Sequence, residues 1–207
     1  LYCDHIIPIG IHVGYFAEPS DDFPADYRTE TGEALDDHFS VSNQGLPNGL
    51  INRTEYDGNY VVGRDNWAAA VNLYFSLIPD FNIKIESEYN EETDEITADL
   101  TVETYSQFDF EINWGLYIVE DSIISPQKDG SDTIPDYVHM HVLRKGVNGP
   151  FGETIASLGQ NGDTFEKSFT IAVDDEWDIH NIGFVAFVSR KSTNEIIQAE
   201  SEHLHIE

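Results

Sequence analysis

Residues 79–104 read PDFNIKIESEYNEETDEITADLTVET. From Phe81 to Glu86 apolar and polar residues alternate. After the polar tract Asn90–Glu95, alternation resumes, with Ile96, Ala98, Leu100 and Val102 on one side and Thr97, Asp99, Thr101 and Glu103 on the other. A period of two is that of a strand with one face buried, so this stretch predicts two strands joined by a turn. Further strands are predicted at 111–120, 137–145, 164–173, 182–190 and 195–206. Seven short strands separated by turn clusters, with no convincing helix among them, indicate an antiparallel β-sandwich.

Upstream of Pro79 the pattern is different. Trp67, Val71, Tyr74, Phe75 and Ile78 are spaced by threes and fours, which predicts a helix from Asp65 or Asn66 to about Leu77, ended by Pro79. Residues 6–16 (IIPIGIHVGYF) read as a buried strand, although Pro8 cannot donate to a central ladder. The acidic, proline-containing stretch 17–27 is a loop. Thr31 is the expected cap of a helix through about Phe39. Gly45-Leu-Pro-Asn-Gly49 is a turn cluster leading into a strand at 50–53, and Asp57-Gly58 is a hairpin signal between that strand and 60–62. The chain therefore divides near Pro79 into an α+β part, residues 1–79, and an all-β part, residues 80–207.

The 207 residues hold 39 acidic and 10 basic side chains, for a formal net charge of -29. Phosphate backbones and anionic membrane surfaces are repelled by such a chain, which excludes nucleic acid and leaves cations or basic partners. Cys3 is the single cysteine, so neither an internal disulfide nor a C-x-x-C pair is possible. No apolar run approaches the length of a membrane span. Leu1 lies close to a predicted core strand, and a further segment is expected upstream.

The run Ile9-Gly-Ile-His-Val-Gly-Tyr-Phe16, then Tyr27-Arg-Thr-Glu-Thr-Gly32, then Gly45-Leu-Pro-Asn-Gly-Leu-Ile-Asn-Arg53 resembles the Omp28-related outer-membrane proteins of the Bacteroidetes. So do Val138-His-Met-His-Val-Leu-Arg144, Asn148-Gly-Pro-Phe-Gly152, Gly183-Phe-Val-Ala-Phe-Val188 and Glu195-Ile-Ile-Gln-Ala199. The resemblance spans nearly the whole chain and contains no catalytic signature. It implies a partial thioredoxin-like α/β segment, lacking its first βα unit, followed by an immunoglobulin-like β-sandwich. It also implies a surface-exposed or periplasm-facing lipoprotein, tied to the membrane only through an upstream lipid anchor. The thioredoxin fold places a proline, usually cis, at the start of a central strand. Leu46-Pro47 stands at that place, so this bond is expected to be cis and the loop to be a binding surface.

For chemistry, disulfide exchange needs a second thiol, and Cys3 precedes a predicted strand rather than a helix. His139-Met-His141 and His203-Leu-His205 are both H-x-H, and on a strand each pair shares a face. The positions after the first pair, Leu143 to Gly146, lack the glutamate of a cupin, and no metal is expected between the four histidines. Acidic turns at 90–95, 129–132 and 174–178 do not fit the EF-hand register. No G-x-S-x-G is present, and Trp114, Tyr117, Trp177 and Phe184 at strand spacing read as core. No catalytic residue and no cofactor is expected. The leading expectation is a non-catalytic binding or adhesion module for a protein, peptide or glycan. A thioredoxin-like oxidoreductase with an upstream cysteine pair and a metal-binding surface protein are the alternatives.

Overall fold

The computed structural model describes residues 5–206. The alternating stretch forms β3 (Phe81–Asn90) and β4 (Glu95–Thr104), following a short upstream pair, β1 (Asn48–Leu50) and β2 (Val61–Gly63). Along β3 and β4 the residues alternate between buried and exposed as the sequence predicts, because one face meets solvent. β5 (Ile112–Glu120) differs, with every residue buried. It is followed by β6 (Ile123–Asp129), β7 (Asp132–His139), β8 (Val142–Gly146), β9 (Glu153–Ala156) and β10 (Thr164–Ala172). β11 (Ile182–Arg190) and β12 (Ile196–His203) complete the chain.

All strand pairs are antiparallel, in a three-stranded sheet β10-β4-β3 and a larger sheet β12-β11-β5-β8 with β9 also on β5. The two sheets share one core. Ile83, Ile96, Leu100 and Val102 from the first meet Leu116, Ile118, Phe184 and Ala186 from the second. Side chains of opposite parity on β5 and β11, namely Tyr117, Val119, Val185 and Phe187, form a second core on the far face. Covering both faces explains why these two strands lack a polar side.

The second core is capped by the upstream segment. Ile7, Ile9 and Ile11 pack on it, as do Leu35 and Phe39 of α1 (Glu30–Phe39). The expected strand at 6–16 is not formed. The segment makes one parallel bridge, Gly10 to Val142, with Gly10 N–H donating to His141 O (2.7 Å) and Leu143 N–H to Gly10 O (2.9 Å). Pro8 supplies no N–H and Gly14 has φ of 69°, so a ladder cannot extend in either direction.

Helix α1 is capped by Thr29, whose Oγ1 accepts from Gly32 N–H (3.0 Å), and not by Thr31. Thr31 is buried and accepts from Gly146 N–H (3.1 Å), tying the helix to β8. The strand expected at 50–53 stops at Leu50 because Asn52 and Arg53 are left-handed. The predicted helix through Leu77 is only α2 (Trp67–Asn72). No side chain caps its start, and Leu73, Leu77 and Ile78 are exposed. The predicted strand 137–145 is broken between β7 and β8 by His141 at φ of 55°. β6 and β7 form a hairpin of their own, turning at Gly130.

Candidate functional site

The Leu46–Pro47 bond is cis, and Gly45 before it has φ of 89°. Asn48 Nδ2 clamps the loop by donating to Gly45 O (2.6 Å). Pro47 and residues Gly63 to Asn66 border an open depression of about 340 Å³.

The histidine pairs are split by the fold. His139 ends β7 pointing inward and is buried, with Nε2 2.9 Å from Ser125 Oγ. His141, in the left-handed turn, accepts the Gly10 N–H of the bridge and turns its ring to the Asp121 carboxylate. The face-sharing expected of a regular strand fails because the backbone between them is not extended. His205 lies beyond the end of β12 and meets the Glu202 carboxylate at 3.0 Å. Among the described residues no group of three or more His, Cys, Asp or Glu is arranged to hold a metal ion.

His139 belongs to a cluster that motif reasoning missed. The His12 ring lies 5.7 Å from His139 and 5.1 Å from Tyr27, and Tyr27 is 5.4 Å from His139. Arg144 stands over Tyr27 at 5.9 Å and meets the buried Glu120 carboxylate at 3.3 Å. Burial, and secondarily the neighbouring His139, lower His12 to about 4, while burial also lowers His139. Both imidazoles are therefore held neutral. Burial raises Glu120 above the usual carboxylate range against the pull of Asp178 N–H and Arg144.

A second junction is built on Arg53, which is 4% exposed and makes no ion pair with a carboxylate among the described residues. Its guanidinium donates to Tyr117 Oη (2.6 Å) and Pro150 O (3.2 Å) and stacks 4.8 Å over Phe187. Tyr117 in turn donates to Pro150 O. Aromatic faces and a carbonyl thus take the place of a counter-ion.

The concavity with the most varied chemistry is a groove of about 570 Å³ between Ile6–Pro8 and the far face of the larger sheet. Val119, Gly183 and Val185 line it, with Asp121 and His141 toward β5 and Ser201, Glu202 and His203 on β12. Asp121 accepts from His141 N–H (2.5 Å) and lies 3.0 Å from its Nδ1. This fixes the imidazole without linking it to a serine, although Ser201 borders the same groove. One histidine from each H-x-H pair thus reaches the groove. Nothing in the sequence pattern marked Asp121 or Ser201.

The acidic turns are closed on themselves: Asn90 Oδ1 accepts from Glu92 N–H (2.9 Å) and Asp174 Oδ1 from Glu176 N–H (3.0 Å). Trp114, Tyr117 and Phe184 are buried, and Trp177 packs against the inter-sheet core. Cys3 lies outside the described residues.

A family model described as outer membrane protein Omp28 matches residues 33–206. The chain belongs to the Omp28 family. Membership places it at the outer membrane or cell surface. Among solved structures, HBP35 of Porphyromonas gingivalis is 21% identical with a TM-score of 0.62, covering 83% of this chain and 56% of its own. The chain thus spans a little over half the length of that relative. A domain of the outer membrane lipoprotein Omp28 from Porphyromonas gingivalis is 19% identical, with a TM-score of 0.42, covering 63% of this chain and 93% of its own. No curated protein matches the chain.

The stretches that carry the Omp28 resemblance meet at the two junctions. His12, Tyr27, His139 and Arg144 come from three of them and form the histidine cluster. Arg53, Phe151 and Phe187 come from three others and surround the buried guanidinium.

Proposed function

We propose that this Omp28-family chain is a non-catalytic cell-surface binding module whose ligand sits in the groove between Ile6–Pro8 and the larger sheet. The groove carries the reading. Its volume is in the range of ligand sites, and its apolar walls with a few convergent polar groups are what such sites need. The Asp121–His141 pair argues against hydrolysis, because no serine or cysteine hydrogen-bonds to the imidazole among the described residues.

On the same reading, residues 1–79 are a thioredoxin-like segment and residues 80–207 an immunoglobulin-like sandwich, a division supported by the start of β3 just after Pro79. Adhesion and an upstream lipid anchor are the roles such a surface module fits. Titration of the isotope-labelled chain with pooled peptides and soluble glycans tests the reading. Amide shifts gathered at Val119, His141, Gly183, Val185 and Ser201 are the expected result. Ligands that bind while leaving those amides unmoved overturn it.

A further inference from the structure

The groove crosses three neighbouring strands. It starts at β12, the outermost strand of its sheet, passes over β11 and ends beside β5. Two strand spacings amount to about 10 Å. Along that path the lining is apolar, with Gly183, Val185 and Val119 on one side and Ile6, Ile7 and Pro8 on the other. At the inner end stands Asp121, whose carboxylate is 12% exposed. Among the described residues no lysine or arginine lines the groove, although Asp121 and Glu202 do. On β12, Ser201 and His203 share the groove's face with Val185 and Gly183, whereas Glu200 and Glu202, paired with Ala186 and Phe184, alternate to the other face.

We propose that this groove takes the side chain of a lysine or arginine from an extended peptide lying along β12, the outermost strand of its sheet. The inference rests on the groove being a binding site and adds the class of ligand. A long basic side chain has an apolar stem and a charged head, and the groove has an apolar passage and a carboxylate at its far end. The edge strand offers backbone donors and acceptors to an extended partner, and the side chain supplies selectivity. A second copy of the chain is the wrong occupant. Each copy carries a net charge of -29, and two β12 edges bring Glu200 and Glu202 against their own kind, whereas a basic strand is attracted.

The probe is the capped peptide Ala-Leu-Lys-Leu-Ala, compared with analogues carrying norleucine or glutamate in place of lysine, by calorimetry and by amide shifts of the labelled chain. The lysine peptide is expected to move Gly183, Val185 and Ser201 and to bind about tenfold or more tighter than the norleucine peptide. Added salt should narrow that gap. Asp121→Asn should abolish the preference for lysine. Because Asp121 also holds His141, a second variant, Gly183→Ala, reads the passage itself. A Cβ there meets its nearest neighbours at 3.4 to 3.6 Å, so the fold tolerates it while the passage narrows, and the lysine peptide should bind more weakly. Equal binding of the lysine and norleucine peptides, or an undiminished preference in Asp121→Asn, overturns the proposal. If all three peptides move the groove amides equally, the binding reading survives and the cationic ligand does not. If the lysine peptide moves only amides elsewhere, both fall.

Discussion

Acid should weaken this fold through His12, by an amount that follows from its surroundings. The ring is wedged between Tyr27 and His139, its Nδ1 is buried without a partner, and its folded pKa is lowered from 6.5 to about 4. The unfolded chain therefore binds a proton that the folded chain refuses between those values. Stability from this group is complete above pH 6.5 and falls as the pH drops toward 4. The loss is about 2 kcal/mol at pH 5 and approaches about 3 kcal/mol below pH 4. Two other groups respond as well. His139 is lowered in the same direction. The acidic surface acts in the opposite sense, since protonating carboxylates relieves the repulsion of a chain with net charge -29. The comparison must therefore be differential. Urea denaturation of the wild type and of His12→Gln, at steps from pH 7.5 to 5.0, isolates the imidazole because the rest of the acid response is largely common to both. The wild type's stability relative to the variant should shrink by about 2 kcal/mol over that range. A gap independent of pH, or a His12 ring resonance titrating near 6.5, would refute the reasoning.

Other substitutions test the packing. Arg53→Ala empties a buried site and strips Tyr117 and Pro150 of a donor, so denaturation should report a loss of about 3 kcal/mol. Arg53→Met keeps the apolar stem and removes the unpaired charge; it should lie within about 1 kcal/mol of wild type or above it. Gly115→Ala drives a Cβ to 2.0 Å from the Phe187 ring and should cost about 1–3 kcal/mol or more, with Phe187→Leu recovering part of the loss in the double variant. Thr29→Ala removes the cap of α1 and should cost about 1 kcal/mol by the same measurement, whereas Ser40→Gly, at a left-handed C-cap with φ of 56°, should be neutral or stabilising.

How far the sequence reports this structure depends on what each element packs against. β3 and β4 were legible because one face is wet and the other dry, so composition records the geometry. β5 and β11 were legible as strands, but their unbroken apolar character carried a second message, that something covers the far face of the sheet. The β6–β7 hairpin was not read from the sequence; it contains Pro126 and Pro135, and proline is tolerated in a pair of strands each with an edge. α2 was overextended because Ile78 keeps helical spacing without a surface to bury it; it is 89% exposed. The H-x-H reading failed at one backbone angle. With His141 left-handed, His139 turns into the histidine cluster and His141 into the groove.

The polar residues that interrupt apolar runs were the overlooked signal. His12 sits within Ile9-Gly-Ile-His-Val13, and Arg53 follows Leu50-Ile51-Asn52. In a chain whose surface is saturated with acid, a basic or imidazole group inside an apolar stretch is poorly explained as a solubilising residue. Both prove to be joints between the upstream segment and the sheet, His12 half-buried and neutral by desolvation, Arg53 buried and charged but caged by aromatic rings. They lie beside the bridge from Gly10 to Val142 and the second core, and Ile196 N–H donates to Asn52 O (2.8 Å) next to Arg53, so the segment is pinned to the sheet at both places. That attachment holds Ile6–Pro8 over Val119 and Val185, and without it the groove has a floor but no roof. His12 and Arg53 thus act on the groove at a distance, by fixing the segment that forms its wall, while His141, Gly183 and Val185 face it directly.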